Sequence, residues 1–233
     1  MQEHIKYFTI LGERCSGTHF VKFSMISNFK IEYLDFDTVK YIPKKIHFFG
    51  HDEDIYNHAE LDKTIYICVI RDPVEWIDSF FKRLHHVPEE NKKNVFNFLT
   101  KKFYSIYEDG PKKNTEIMED RNIITKEQYK NIFELRKVKC NYFFNVVQNK
   151  VKHFLLLKYE DLRDDYDNTL ELIKNKFNLI KKTDEYLKII KYKGTYNALY
   201  FKKPILLTKE TQEYIKTQLD LEQEKKLGYL LDN

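Results

Sequence analysis

The segment Tyr7-Phe8-Thr9-Ile10-Leu11-Gly12-Glu13-Arg14-Cys15-Ser16-Gly17-Thr18-His19-Phe20 constrains the fold more than any other part of the chain. An apolar, β-prone run ends in a turn bounded by two glycines, and an amphipathic helix pattern follows. Such a turn leaves amide N–H groups at the helix start without intrahelical acceptors, and they can converge on a phosphate. Gly12 and Gly17 permit backbone angles or close approaches that a Cβ would forbid. Arg14 can bring a planar, permanently charged fork to the same anion. The same pattern also describes an ordinary strand-to-helix turn whose glycines serve geometry alone. The G-x-x-x-x-G spacing is that of an ATP-binding loop, yet Thr18-His19 stand where Lys-Ser/Thr would follow. Without that lysine and the magnesium-ligating hydroxyl, the loop is poorly suited to a triphosphate.

Period and punctuation predict alternating strands and helices after this start. Residues 6–11 read as a strand and 18–29 as a helix. A second extended piece, Lys45-Ile46-His47-Phe48-Phe49, ends at Gly50-His51-Asp52. Thr64 to Ile70 is a near-continuous apolar run, as in a parallel strand covered on both faces. Asp72-Pro73-Val74-Glu75 then carries a cap, a proline for the first helical position and a capping-box acid. Trp76, Ile77, Phe80, Phe81 and Leu84 supply the buried stripe of that helix. Residues 88–94 and 108–127 are polar and expected outside the sheet, while 95–107 and 126–147 look helical. Val151 to Leu157 reads as another strand, 167–177 and 208–219 as helices, and Gly228 as a helix stop. These elements predict a three-layer, P-loop-like α/β fold with a central, mainly parallel sheet flanked by helices. A single domain over 1–233 is expected, with a helical lid or insertion at about 85–150. Ligands of such sheets bind beyond the carboxyl ends of the strands, where Arg14, His47, Arg71 and Tyr159 all fall.

The chain of 233 residues is 42% hydrophobic and 15% aromatic, which is enough to fill a core and excludes wholesale disorder. With 40 basic and 36 acidic residues there is no basic arm or block pointing to nucleic acid as the main partner. Cys15, Cys68 and Cys140 are far apart and show no zinc-ligand spacing, so neither a metal site nor a disulfide framework is expected. Cys68 reads as core. The start, Met1 to Lys6, lacks a signal-peptide profile and no run approaches membrane-spanning length. The expectation is a soluble cytoplasmic protein.

Arg71 closes its strand, and Ser79 lies two helical turns beyond the Asp72 cap, so both can approach one anion. An ion pair of Arg71 with Asp72 or Glu75 is the alternative for that residue. Taken with the opening loop, the chain resembles the sulfotransferases that use 3′-phosphoadenosine 5′-phosphosulfate (PAPS). Their P-K-S-G-T-T-W motif is matched by Arg14-Cys15-Ser16-Gly17-Thr18-His19-Phe20, and their second motif, an Arg and a Ser eight residues apart, by Arg71 and Ser79, with Arg71-Asp72-Pro73 also typical of that unit. Tyr159-Glu160-Asp161-Leu162, and Leu219 to Glu222 followed by Leu227-Gly228-Tyr229, also resemble family segments. Gly12-Glu13-Arg14 and Asn131 to Arg136 are similar to a microbial and viral branch, and a viral origin would make the cytoplasm that of the host. The likeness spans most of the chain and is weakest over 85–150.

The resemblance implies sulfuryl transfer from PAPS to a hydroxyl or amine acceptor, with adenosine 3′,5′-bisphosphate (PAP) as product and no metal required. The amides of residues 15–19, including those of Cys15, Gly17 and His19, together with the Ser16 and Thr18 hydroxyls, would hold the 5′-phosphosulfate. Arg71 and Ser79 would hold the 3′-phosphate, with Lys193 and Gly194 of the Lys191-Tyr192-Lys193-Gly194 segment adding to that end. The family lysine before Ser-Gly-Thr is Cys15 here, so Arg14 becomes the candidate catalytic cation, with Lys22 behind it. His47 is the first candidate for general base, then His51, His85 and His86. Small-molecule, carbohydrate and peptide-tyrosine acceptors all remain open. A P-loop kinase for a small metabolite and an inactive nucleotide binder are the alternative readings.

Overall fold

A computed structural model describes residues 4–34, 47, 53–190 and 203–229. Strand β1 (Tyr7–Gly12), helix α1 (Thr18–Asn28), strands β2 (Glu32–Tyr33) and β3 (Thr64–Ile70), and helix α2 (Pro73–Phe81) come first. Helices α3 (Glu89–Lys92), α4 (Val95–Thr100), α5 (Ile132–Tyr142) and α6 (Gln148–Lys150) precede strand β4 (His153–Lys158). Helices α7 (Tyr159–Asp164), α8 (Tyr166–Phe177), α9 (Lys209–Gln218) and α10 (Leu221–Lys226) follow. The strands make one parallel sheet in the order β2-β1-β3-β4. The fold is therefore α/β, a parallel sheet flanked by helices and consistent with three layers, as the sequence predicts. The expected extended piece at 45–49 lies outside the described residues except for His47, which is in a turn.

The described residues pack as two compact units. One is drawn from Met1–His47, Asp52–Arg71 and Asn145–Pro204, the other from Phe48–His51, Asp72–Phe144 and Ile205–Asn233. The first contains the whole sheet. Every residue of β3 is buried, which accounts for its unbroken apolar sequence, since both of its faces are covered. Phe8 and Ile10 of β1 and Ile65, Ile67 and Val69 of β3 pack with Phe20, Val21 and Met25 of α1. Leu170, Ile173 and Phe177 of α8 extend the same core. Each such side chain contributes roughly 1.5–3 kcal/mol on burial. Strand β2 consists of two residues attached by Glu32 N–H to Lys6 O (2.9 Å) and Leu34 N–H to Phe8 O (2.8 Å). Helix α1 stops at Phe29, which turns extended, and the Asn28 amide bonds Ser24 O, the Tyr166 hydroxyl and Leu187 O.

In the second unit, Asp72 caps α2 by accepting from Val74 N–H and Glu75 N–H, with Pro73 at the first helical position, as expected. Trp76, Ile77 and Phe80 are buried, but Phe81 and Leu84 are only half-buried and Asp78 takes a buried place instead. Asp78 pairs with Lys82 and accepts the Leu206 N–H at 2.9 Å, which explains a carboxylate there. The helix expected over 95–107 ends at Thr100. Lys101 turns extended, the buried Asn91 amide bonds the carbonyls of Asn97 and Lys102, and Phe103 pairs with Tyr129 as an antiparallel bridge. Phe103 is thereby placed 5.7 Å from Phe98 and 5.8 Å from Phe80, ring centre to ring centre. The helix expected from 126 starts at Ile132, where Asn131 caps it through Glu134 N–H, and it passes into a π-helical turn at Phe143–Val147. Gly228 stops α10, its φ of 81° closing the pair of bonds Tyr229 N–H to Glu224 O and Gly228 N–H to Lys225 O.

Candidate functional site

The turn between β1 and α1 is built by its neighbours as much as by its own sequence. Gly12 ends β1, and a Cβ there would lie 2.7 Å from Thr18 Cγ2, 2.8 Å from Ser16 Oγ and 3.1 Å from Val69 O. Gly17 has φ of 100°, and a Cβ on it would fall 2.3 Å from Cδ2 of Tyr159. Cys15 also takes a positive φ of 64° while Ser16 between them does not. Alternation of this kind is the backbone pattern of anion-binding nests, although here the Ser16 N–H is taken by the Glu13 carbonyl at 3.1 Å. Helix α1 begins at Thr18 with no side-chain cap and no acidic residue in its first turn. Its positive dipole end is therefore not offset by a carboxylate of that turn. Ser16 Oγ is buried and has no hydrogen-bond partner among the described residues. A buried hydroxyl in that state is costly unless something else accepts its proton, and an anion in the nest would do so.

Arg71 meets this turn. It follows the last residue of β3, and its Nη1 donates to the Cys15 carbonyl at 3.2 Å. Its guanidinium carbon stands 4.5 Å from the centre of the Tyr159 ring, the ring that also lies under Gly17. Tyr159 is buried, edge-on to Phe20 at 5.8 Å, with the Arg163 guanidinium 5.4 Å from its centre. Two cations near one aromatic ring are tolerable because the ring quadrupole attracts each of them. Tyr159 thus props both the glycine turn and the arginine.

His47 also reaches the turn, its Nδ1 lying 2.8 Å from the Gly12 carbonyl. A carbonyl oxygen only accepts, so Nδ1 carries the proton and Nε2 is the basic nitrogen of the neutral ring. Residues 12–18, His47, Arg71 and Tyr159 are therefore brought together. His19 lies half-buried in the first turn of α1. Ser79 lies half-buried on α2 in the second unit. Lys193, Gly194 and His51 lie outside the described residues. Lys22 is stacked on the Tyr33 ring, 3.7 Å from its centre. His86 Nδ1 bonds Ile106 O at 2.9 Å, its N–H bonds Glu108, and His85 Nδ1 lies 3.9 Å from the same carboxylate, so both bind the 106–108 segment.

Arg14 is buried, and its Nε donates to Glu13 Oε1 at 2.8 Å. The same oxygen accepts the Arg14 backbone N–H at 2.8 Å. Glu13 was not singled out by the sequence, although an acid beside an arginine inside a glycine-bounded turn is the visible signal. No protein-family model matches the chain, and no curated protein matches it in sequence.

Proposed function

We propose that the chain is a sulfotransferase that moves the sulfuryl group of PAPS to a hydroxyl acceptor, on a P-loop-like arrangement of turn and sheet. The observation that carries this reading is the hydrogen bond from Arg71 Nη1 to the Cys15 carbonyl, which sets a permanent cation at the β3 tip beside the anion nest at the β1 tip. One site then has two kinds of anion holder, backbone dipoles for the 5′-phosphosulfate and a guanidinium for the 3′-phosphate. Ser79 enters the proposal on sequence spacing alone.

In the transfer, the acceptor oxygen forms a bond to sulfur in line with the leaving bridging oxygen, whose bond to sulfur breaks. The electron pair stays on the 5′-phosphate, where the Ser16 hydroxyl, the amides of the turn other than those of Arg14 and Ser16, and the α1 dipole oppose the growing charge. His47 Nε2 takes the acceptor's proton, held in that tautomer by the Gly12 carbonyl. Arg14 stands one position before the place of the family lysine, with its charge opposed by Glu13 at 2.8 Å. Calorimetry with PAP in EDTA tests the reading. Wild type is expected to bind, and Arg71→Ala to lose about 10- to 150-fold, the worth of a charge-assisted bond of roughly 1.5–3 kcal/mol. Binding of ATP with magnesium but not of PAP would assign the turn to a kinase.

A further inference from the structure

Cys15 is half-exposed, whereas Cys68 and Cys140 are buried. It forms part of the 12–18 turn with φ of 64°, a left-handed angle that strains a residue with a Cβ and that clusters at functional sites. Its own carbonyl accepts from Arg71 Nη1 at 3.2 Å, which sets a guanidinium beside this residue. Helix α1 begins at Thr18, without a side-chain cap and without an acid in its first turn. An arginine and a helix N-terminus both favour the thiolate, the form of cysteine that attacks electrophiles. Glu13 and Arg14, which precede it, bring one charge of each sign. The neighbouring Ser16 side chain points independently to an anion in the same turn. Its Oγ is buried, has no hydrogen-bond partner among the described residues, and lies 2.8 Å from where a Cβ on Gly12 would stand, so it faces the inside of the turn.

We propose that Cys15 is a thiol-modification site that takes anionic low-molecular-weight disulfides, and that the mixed disulfide it forms occupies the anion turn. The thiol gives its proton to water, and the thiolate attacks one sulfur of the disulfide R–S–S–R. The new S–S bond forms as the old one breaks, and the electron pair leaves on RS⁻. The Cys15 sulfur is oxidised and the departing sulfur reduced, so the disulfide itself is the oxidant. A carboxylate on the retained group is a fitting acceptor for the Ser16 hydroxyl, within the field of the α1 dipole and of Arg71. The inference goes beyond sulfuryl transfer. It makes the residue at the place of the family lysine a reversible stop on anion binding.

The test is thiol–disulfide exchange on the native chain with two probes, the dianionic dithiobis(nitrobenzoate) and the neutral dithiodipyridine, the modified residue being identified by peptide mass. Cys15 is expected to react at least about tenfold faster than Cys68 and Cys140, and Cys15→Ser to lose this fast phase. Reaction of a buried cysteine at a matching rate overturns the inference. The anionic-to-neutral rate ratio at Cys15 is expected to be at least about tenfold higher in the native than in the urea-unfolded chain, and to fall at least about threefold in Arg71→Ala. A ratio that folding leaves unchanged overturns the inference. Should Arg71→Ala fail to fold, raised ionic strength takes its place, with a falling ratio in native wild type expected and a constant one refuting. Labelled protein is expected to lose PAP binding and to regain it on reduction with dithiothreitol. PAP that binds labelled and unlabelled protein alike overturns the inference, whereas PAP that binds neither form removes the sulfotransferase reading and leaves the exchange measurements to decide this one.

Discussion

Replacing Gly17 by Ala isolates how the turn is built. Two costs act there, the left-handed φ of 100° and the 2.3 Å approach of the new Cβ to Tyr159. The backbone strain costs about 1–2 kcal/mol for a residue with a Cβ. To reach an ordinary contact of about 3.4 Å the ring must retreat by about 1 Å, and overpacking of that kind costs roughly 1–3 kcal/mol more. Gly110 supplies the control, because its φ is 72° and a Cβ on it meets nothing within 4 Å. Gly110→Ala is therefore expected to show strain alone, and Gly17→Ala to exceed it by roughly 1–3 kcal/mol. Urea unfolding is the assay. Far-UV circular dichroism follows the helices of both units, and fluorescence of Trp76, the chain's one tryptophan, follows the second unit. Since the displaced ring carries Arg71, Gly17→Ala should also weaken PAP binding, which Gly110→Ala should leave alone. Equal destabilisation by the two variants would refute the argument, because it would mean that Tyr159 does not support Gly17.

Three further outcomes are expected. His47→Ala should cost about 100-fold or more in transfer rate with little change in PAP affinity, and a parent rate in single-turnover assays would remove it as base. Burial holds the His58 pKa below its usual value, against the opposing pull of Glu60, while its Nε2 bonds the Tyr66 hydroxyl. The unfolded chain then binds more protons below pH about 6.5, so stability should fall on acidification through that window. His58→Gln should flatten this fall in pH-dependent urea midpoints, and an unchanged slope would count against it. Glu224→Ala should destabilise the second unit by about 3–5 kcal/mol, since it strands Arg136, which is buried between Trp76 and Tyr229 and held by Glu224 at 2.6 and 2.7 Å. A thermal shift no larger than that of an exposed site such as Glu213→Ala would contradict this.

Strands β1, β3 and β4 were legible because a parallel strand covered by helices must be apolar along its length, and 64–70 is. Strand β2 was not, because two residues attached by neighbouring backbone bonds leave no periodic pattern. The overlong helix at 95–107 failed for a tertiary reason, since Asn91 closes α4 and Phe103 is drawn toward Phe80 and Phe98. In the site, glycines and strand-end positions pointed to Arg71 and Tyr159, which follow β3 and β4, whereas His47 was named for a strand at 45–49 that, apart from His47 itself, lies outside the described residues. Glu13 was missed because its role depends on where its carboxylate points, and spacing does not encode that. The mid-chain segment Asn131 to Arg136 is joined to the C-terminal segment Leu219 to Tyr229 by Arg136–Glu224, and the adjoining Lys137 pairs with Asp220 at 2.8 Å.

Phosphorus-31 resonance of PAP is the most direct measurement of whether both ends of the nucleotide are held, because its two phosphates give separate signals. On addition of wild-type protein in EDTA both signals should shift and broaden. Arg71→Ala should release the 3′ signal first, and Ser16→Ala should act mainly on the 5′ signal. If only one phosphate responds, or if both variants alter the same signal, the nucleotide is not gripped at two ends and the sulfotransferase account is wrong.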